Sequence, residues 1–203
     1  METIYKPTGW CYYFHTMANN RKKKQPDIVK GQLLEAAAFI TVERGLGSLT
    51  LDLVAQRAGV SKGGLIHHFP NKRVLIEKLF DYLLAIFESS IDDYMAEDSN
   101  PRGRFSRAYV MASAFPKNEP SESKLHGAFA LAMSNNEPLA EIWRKWLLSQ
   151  MEKHSEDTGA TVGQMVRYAA DGLWLEACTG TQIDDAKVRS SVIEHLLELT
   201  YSI

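Results

Sequence analysis

The chain has 203 residues, 45% hydrophobic, 10% aromatic and 24% charged, enough apolar material for one large domain or a small domain joined to a medium one. No apolar run approaches the roughly 18 residues that would span a bilayer, and residues 1–17 lack the basic-then-apolar layout of a signal peptide. Cys11 and Cys178 lie far apart without metal-ligand spacing, which argues against a disulfide framework and fits a reducing cytoplasm. The formal net charge of −2 conceals an asymmetry: residues 1–80 carry 12 Lys and Arg against 6 Asp and Glu, the remainder 11 against 19. A basic end on an acidic body points either to a polyanionic partner for the first part or to a solvated tail, since the RKKK run at 21–24 supplies four of those charges.

Residues 1–25 read as a flexible N-terminal arm, broken by Pro7 and Gly9 and closed by the basic run. The aromatic stretch at 10–14 leaves two readings, docking on the body or a native start at Met17. From Pro26 onward helical periodicity dominates. Leu34, Ala37, Ala38 and Thr41 share a face, with Pro26 suited to the first turn and Gly45 to the end. Thr50 caps a short helix that Gly59 interrupts, Ser61 caps a second that ends near Phe69 and Pro70, and Asn71 caps a long third reaching about Asp98. Further helices are predicted over 102–115, 122–134, 136–156, 161–179 and 185–201, with Pro101, Pro116, Pro120 and Pro138 at their borders. There is no strand alternation and no internal repeat, so the fold class is all-α.

Residues 51–68 carry the strongest signal. Two short helices crossing steeply need a small residue at the crossing, which Ala55 supplies, and a turn residue that tolerates positive φ, which Gly59 supplies. Leu65 then presses the second helix back on the first, with Val54, Ala58 and Val60 completing a small core. An ordinary helical hairpin would also use a glycine turn. If Leu65 faces inward, Lys62, Gly63, Ile66 and His67 face out. Lys62 can donate to phosphate or to guanine, and the bare glycines Gly63 and Gly64 let backbone approach a groove. His68 points back toward the body.

The segment TLDLVAQRAGVSKGGLIHHFPNK at 50–72 resembles the DNA-binding region of the TetR family of transcriptional regulators, most specifically over 59–72. The likeness in motif covers roughly residues 28–80. It implies an N-terminal three-helix helix-turn-helix domain at 26–72 joined to a helical ligand-binding and dimerisation domain at 73–203. It also implies roles: Thr50 touches phosphate, Ser61 with Lys62, Gly63 and Gly64 opens the recognition helix, His67 contacts phosphate or base, and Lys72 clamps a phosphate beside a helix N-terminus. One position departs from the pattern. Where the family places a phosphate-binding tyrosine, this chain has Ile66, four residues after Lys62 and on its face, which instead suits packing on a thymine methyl or a sugar.

The resemblance further implies an inducer pocket and a four-helix homodimer interface built by the last two helices, which are strongly apolar here. The aromatic and polar candidates for effector contact are Phe105, Tyr109, His126, Phe129, Met133, Trp143, Tyr168 and Trp174. The expected partners are double-stranded operator DNA, a second copy of the chain and a small, mostly apolar effector, with no membrane. Ser61, His67 and Asp52 could suggest a hydrolase, but there is no G-x-S-x-G elbow, phosphate loop, dinucleotide fingerprint or zinc motif. No catalytic residues, cofactor or metal site are expected. The reading is of a repressor released by its effector. The alternative is a same-fold activator, or a regulator answering to a protein partner or to no ligand.

Overall fold

The computed structural model describes residues 25–115, 120–179 and 185–203. The basic run at 21–24, and with it all but the last residue of the expected arm, lies outside them. Among the described residues every regular element is helical and there is no strand, as the periodicity required. The chain divides into two units within one helix, between Leu79 and Phe80. The expected boundary at 72/73 falls about two turns earlier on that same helix.

In the first unit, helix α1 (Gln25–Arg44) buries Leu33, Leu34, Ala37, Ala38, Ile40 and Thr41 along one face. It ends at Gly45, and a 3-10 turn (Leu46–Ser48) leads to the fully buried Leu49. Helix α2 (Leu51–Ala58) starts where Thr50 Oγ1 accepts the Leu53 N–H at 3.2 Å. It stops because Gly59 takes φ +66°, a left-handed conformation that costs glycine little. The Val60 N–H then bonds the Ala55 carbonyl and the Gly59 N–H that of Gln56, closing the orphan carbonyls of the helix end. Helix α3 (Lys62–His68) is capped by Ser61, whose Oγ accepts from Gly64 N–H at 3.1 Å. Helix α4 (Lys72–Glu97) is capped by Asn71, whose Oδ1 accepts from Val74 N–H at 2.9 Å. Each such cap contributes about 1 kcal/mol.

The second unit contains the rest of α4 and helices α5 (Arg104–Ala114), α6 (Pro120–Met133), α7 (Glu137–Lys153), α8 (Ser155–Thr158), α9 (Thr161–Thr179) and α10 (Ala186–Leu199), followed by a 3-10 turn (Thr200–Ser202). Helix α5 is central. All its residues but Arg104 and Met111 are buried, and Phe105, Ala108, Tyr109 and Ala112 share a core with Ile91, Val166, Ala170, Ile193 and Leu196. A helix so enclosed cannot leave its first N–H groups to water. Gly103 at its cap has no side chain, so Asp157 does the work from more than fifty residues away: its Oδ1 accepts from Gly103 N–H at 3.0 Å and its Oδ2 from Phe105 N–H at 2.8 Å. This explains a departure from expectation. The helix expected over 136–156 stops at Lys153, and α8 turns the chain so that Asp157 reaches α5.

Arg107, 6% exposed, is a buried charge on α5 itself. Its Nε donates to Asp98 Oδ2 at 2.6 Å, Nη1 to Thr200 Oγ1 at 3.1 Å, and Nη2 to the carbonyls of Asn100 and Arg102. Burial works to raise the Asp98 pKa, but the Arg107 bond, the Asn100 N–H and the charges of Arg107 and Arg104 outweigh it and hold the carboxyl below its ordinary range. Helices α6 and α9 meet backbone to backbone: a Cβ on Gly127 would lie 2.5 Å from the Cys178 carbonyl oxygen, so only glycine fits.

Candidate nucleic-acid interface and ligand cavity

Helix α3 presents two faces. Leu65 is fully buried, while Ile66, a large apolar residue, is 42% exposed and Lys62 and His67 are exposed with it. The sequence places Lys62, Gly63, Ile66 and His67 on one outward surface, and the structure brings them together there. His68 is half-buried, its ring 5.4 Å from that of His67. The two glycines differ. Nothing described stands within 4 Å of where a Gly63 side chain would begin, whereas at Gly64 a Cβ would meet Val60 Cγ1 at 3.0 Å and Ser61 Oγ at 3.2 Å. Only Gly63 offers bare backbone outward; Gly64 is small because the α2–α3 turn packs against it.

The hydroxyls of Thr50 and Ser61 accept cap bonds and keep their own protons to donate. Lys72 Nζ donates to the Gly47 carbonyl at 3.0 Å, which fixes its ammonium beside the start of α4. Lys62 Nζ lies 2.9 Å from Asp52 Oδ1, with both side chains largely exposed. Asp52 was not legible as a site residue, because the pairing arises only from the α2–α3 crossing.

The second unit holds a cavity of about 20 Å³. Helix α4 lines it with Phe80, Leu83, Leu84 and Phe87, α5 with Tyr109 and Ser113, α6 with His126, Phe129 and Met133, α7 with Trp143, and α9 with Asp171 and Trp174. Six of the eight effector candidates are therefore on its wall. Phe105 and Tyr168 do not line it. Phe105 is buried in the neighbouring core, stacked on His154 with ring centroids 4.2 Å apart. Tyr168 is 65% exposed and lies under the Arg167 guanidinium on the outer side of α9. Ser113 and Asp171 went unnoticed in the sequence, yet each had a signal: Ser113 follows Tyr109 by four residues and Asp171 precedes Trp174 by three, both same-face helical spacings.

Tyr109, Asp171, His126 and Trp174 on the cavity wall are held in one arrangement. Tyr109 OH donates to Asp171 Oδ1 at 2.6 Å and Arg167 Nη1 donates to Asp171 Oδ2 at 2.7 Å. Burial raises the Asp171 pKa against the opposing pull of both partners, and burial together with the Asp171 charge pushes Tyr109 well above the ordinary phenol range. Trp174 Nε1 donates to His126 Nδ1 at 3.3 Å, which puts the ring proton of a neutral His126 on Nε2. Burial lowers the His126 pKa to about 4, so the ring is neutral at pH 7.

Outside the cavity, α9 and α10 carry an apolar stripe. Met165, Tyr168 and Leu175 on α9 and Val188, Val192 and Leu199 on α10 are each between 41% and 65% exposed, at spacings that keep each set on one face. Gly172 lies on the α9 stripe, exposed, with nothing described within 4 Å of its Cβ position. Among the described residues no helix is long and apolar enough to cross a membrane.

Comparison with known proteins bears on both units. The family model described as "Bacterial regulatory proteins, tetR family" matches residues 33–79, and the one described as "Tetracyclin repressor-like, C-terminal domain" matches 103–201. The HTH-type transcriptional regulator BetI of Vibrio vulnificus is 27% identical over 189 residues, 87% of this chain and 94% of that protein. The HTH-type transcriptional repressor KstR2 of Mycobacterium tuberculosis is 24% identical over 156 residues, 72% of this chain and 78% of the relative. Among solved structures, a transcriptional regulator from Rhodococcus sp. Rha1 is similar with a TM-score of 0.67 at 22% identity, covering 88% of this chain and 97% of the other. The multidrug binding protein EbrR, complexed with imidazole, is similar at 0.64 and 17% identity, covering 81% and 87%. At these identities the structural likenesses speak to the fold.

Proposed function

Because the chain belongs to the TetR family of transcriptional regulators, we propose that it is a dimeric, sequence-specific repressor whose hold on operator DNA is released by a small, mostly apolar effector. The observation that carries this reading is the division of labour on α3: Leu65 is buried, so Lys62, Gly63, Ile66 and His67 are left together on an open face. Such a face can enter a major groove, with Lys62 donating to a base edge or phosphate, while Thr50, Ser61 and Lys72 bond the flanking phosphates.

One α3 reads too few base pairs to select a site. Two of them, roughly 34–36 Å apart, would read successive turns of a near-palindrome. The stripes on α9 and α10 supply the means. Laid against those of a second copy they bury twelve large side chains in a four-helix interface, and Gly172 allows the backbones to approach closely. A cavity of about 20 Å³ holds roughly one water. A larger effector must therefore part the walls, four of whose side chains belong to α4. That helix runs unbroken from Lys72 to Glu97, and an effector that favours a displaced wall shifts the population toward dimers that no longer fit both grooves. A DNA target supports a cytoplasmic location. The names of relatives support repression (KstR2) and ligand binding by this fold (EbrR).

Selection of bound duplex from a random pool tests the reading. It should return a near-palindrome with half-sites about one helical turn apart, and a footprint overlapping the promoter identifies repression. A pool without sequence enrichment overturns the assignment, and a footprint upstream of the promoter favours activation.

A further inference from the structure

The cavity of the second unit contains one polar side chain with its bonding capacity unspent. Ser113 is 1% exposed and lines the cavity, and its Oγ has no hydrogen-bond partner among the described residues. A hydroxyl inside a helix ordinarily bonds back to the carbonyl four residues earlier, as Thr41 does to Ala37 at 2.9 Å. Ser113 does not. Buried polar groups without partners are rare because their lost hydration is uncompensated.

The other polar groups on the wall are already engaged. Asp171 has Tyr109 on one oxygen and Arg167 on the other, so its charge is balanced within the protein. His126 accepts from Trp174 and is neutral at pH 7. An anion entering here would meet the Asp171 carboxylate. A cation would give up its hydration beside a carboxylate whose positive partner is already in place. The rest of the wall is apolar: Leu83, Leu84 and Met133 stand beside two flat aromatic pairs, Trp143 with Trp174 at 13° and Phe80 with Phe129 at 12°.

We propose that the occupant of this cavity is an uncharged, flat aromatic molecule bearing a hydroxyl or carbonyl oxygen, and that Ser113 Oγ anchors that oxygen. The proposal rests on the effector-binding reading above and goes further in naming the chemical class and the anchoring atom. A ring enters by displacing Met133 and Trp143, both half-buried; Met133 is the more adaptable of the two.

The test is calorimetric titration of the full-length protein with four single-ring probes of similar shape: p-cresol, toluene, 4-methylbenzoate and benzyltrimethylammonium. p-Cresol should bind about tenfold more tightly than toluene, the gain of one buried hydrogen bond, and both charged probes should bind more weakly than p-cresol. Ser113→Ala should bring p-cresol to the level of toluene without lowering the melting temperature, since it removes a hydroxyl that bonds nothing; a structural role would lower it. Tightest binding by either ion, a p-cresol preference that survives in Ser113→Ala, or no p-cresol binding up to its solubility limit overturns the proposal. Operator binding by the probe-free protein is measured separately, so loss of the regulator reading with the Ser113-dependent preference intact would leave this one standing.

Discussion

Lys62 and Asp52 are bound to each other across the α2–α3 turn, the ammonium 2.9 and 3.1 Å from the two carboxylate oxygens, although ten residues separate them. The pair contributes little to stability because both side chains are exposed. On the proposed reading of α3 as the groove-facing helix, the cation on its outward face carries an anion beside it, and that anion would repel any phosphate backbone the helix approaches. Asp52→Asn should therefore strengthen binding to random duplex more than binding to the operator, and make the log–log salt dependence steeper by about one. Affinities measured across a salt series check this; an unchanged slope and specificity ratio count against it.

Leu65 is the hinge of the first unit's packing. Leu65→Ala should destabilise that unit by about 2–5 kcal/mol, read as a lower denaturation midpoint, and operator binding should weaken with it. Ile66→Ala, on the opposite face, should leave the midpoint unchanged within experimental error. Replacing operator thymines with uracil should weaken the wild type more than Ile66→Ala, as expected of an apolar side chain seated on a thymine methyl. Equal losses in the two proteins would remove Ile66 from base contact.

The stripes on α9 and α10 predict an oligomeric outcome. Val192→Glu places a charge on a face that is 41% open in one copy. Sedimentation should show a monomer with unchanged helical content, and operator affinity should fall by orders of magnitude because the two half-sites are no longer engaged together. A dimer that survives the substitution would move the interface elsewhere.

His126 gives a pH dependence whose sign is fixed. Its folded pKa is held at about 4, against 6.5 ordinarily. Between those values the unfolded chain binds a proton that the folded one refuses, so stability from this group is fully present above pH 6.5 and is lost as pH falls toward 4. The loss amounts to about 3 kcal/mol, and His126→Gln should flatten that part of a stability–pH curve. A curve unchanged by the substitution would mean that the ring is hydrated.

Much of this was readable from the chain because helices announce themselves locally. Thr50, Ser61 and Asn71 cap within three residues, Gly59 ends α2 by its own conformational freedom, and Leu65 must be buried for the α2–α3 crossing to close. The cavity was half readable. Trp143 and Trp174 attract notice as large aromatics, but a serine or an aspartate on a mixed helix face does not, and Phe105 and Tyr168 are told apart only by which side of their helices the neighbours cover. The break at Lys153 was hidden altogether, since the reason for it, the uncapped Gly103 at the start of α5, lies fifty residues earlier in the chain.

The contact between Gly127 and the Cys178 carbonyl acts as a mechanical stop. With two main chains already touching, α6 cannot settle any nearer to α9, and their separation can change in one direction only. At that point of the wall closer approach is blocked and outward movement is not. An occupant of the chamber can therefore part α6 from α9 at this point but cannot draw them together.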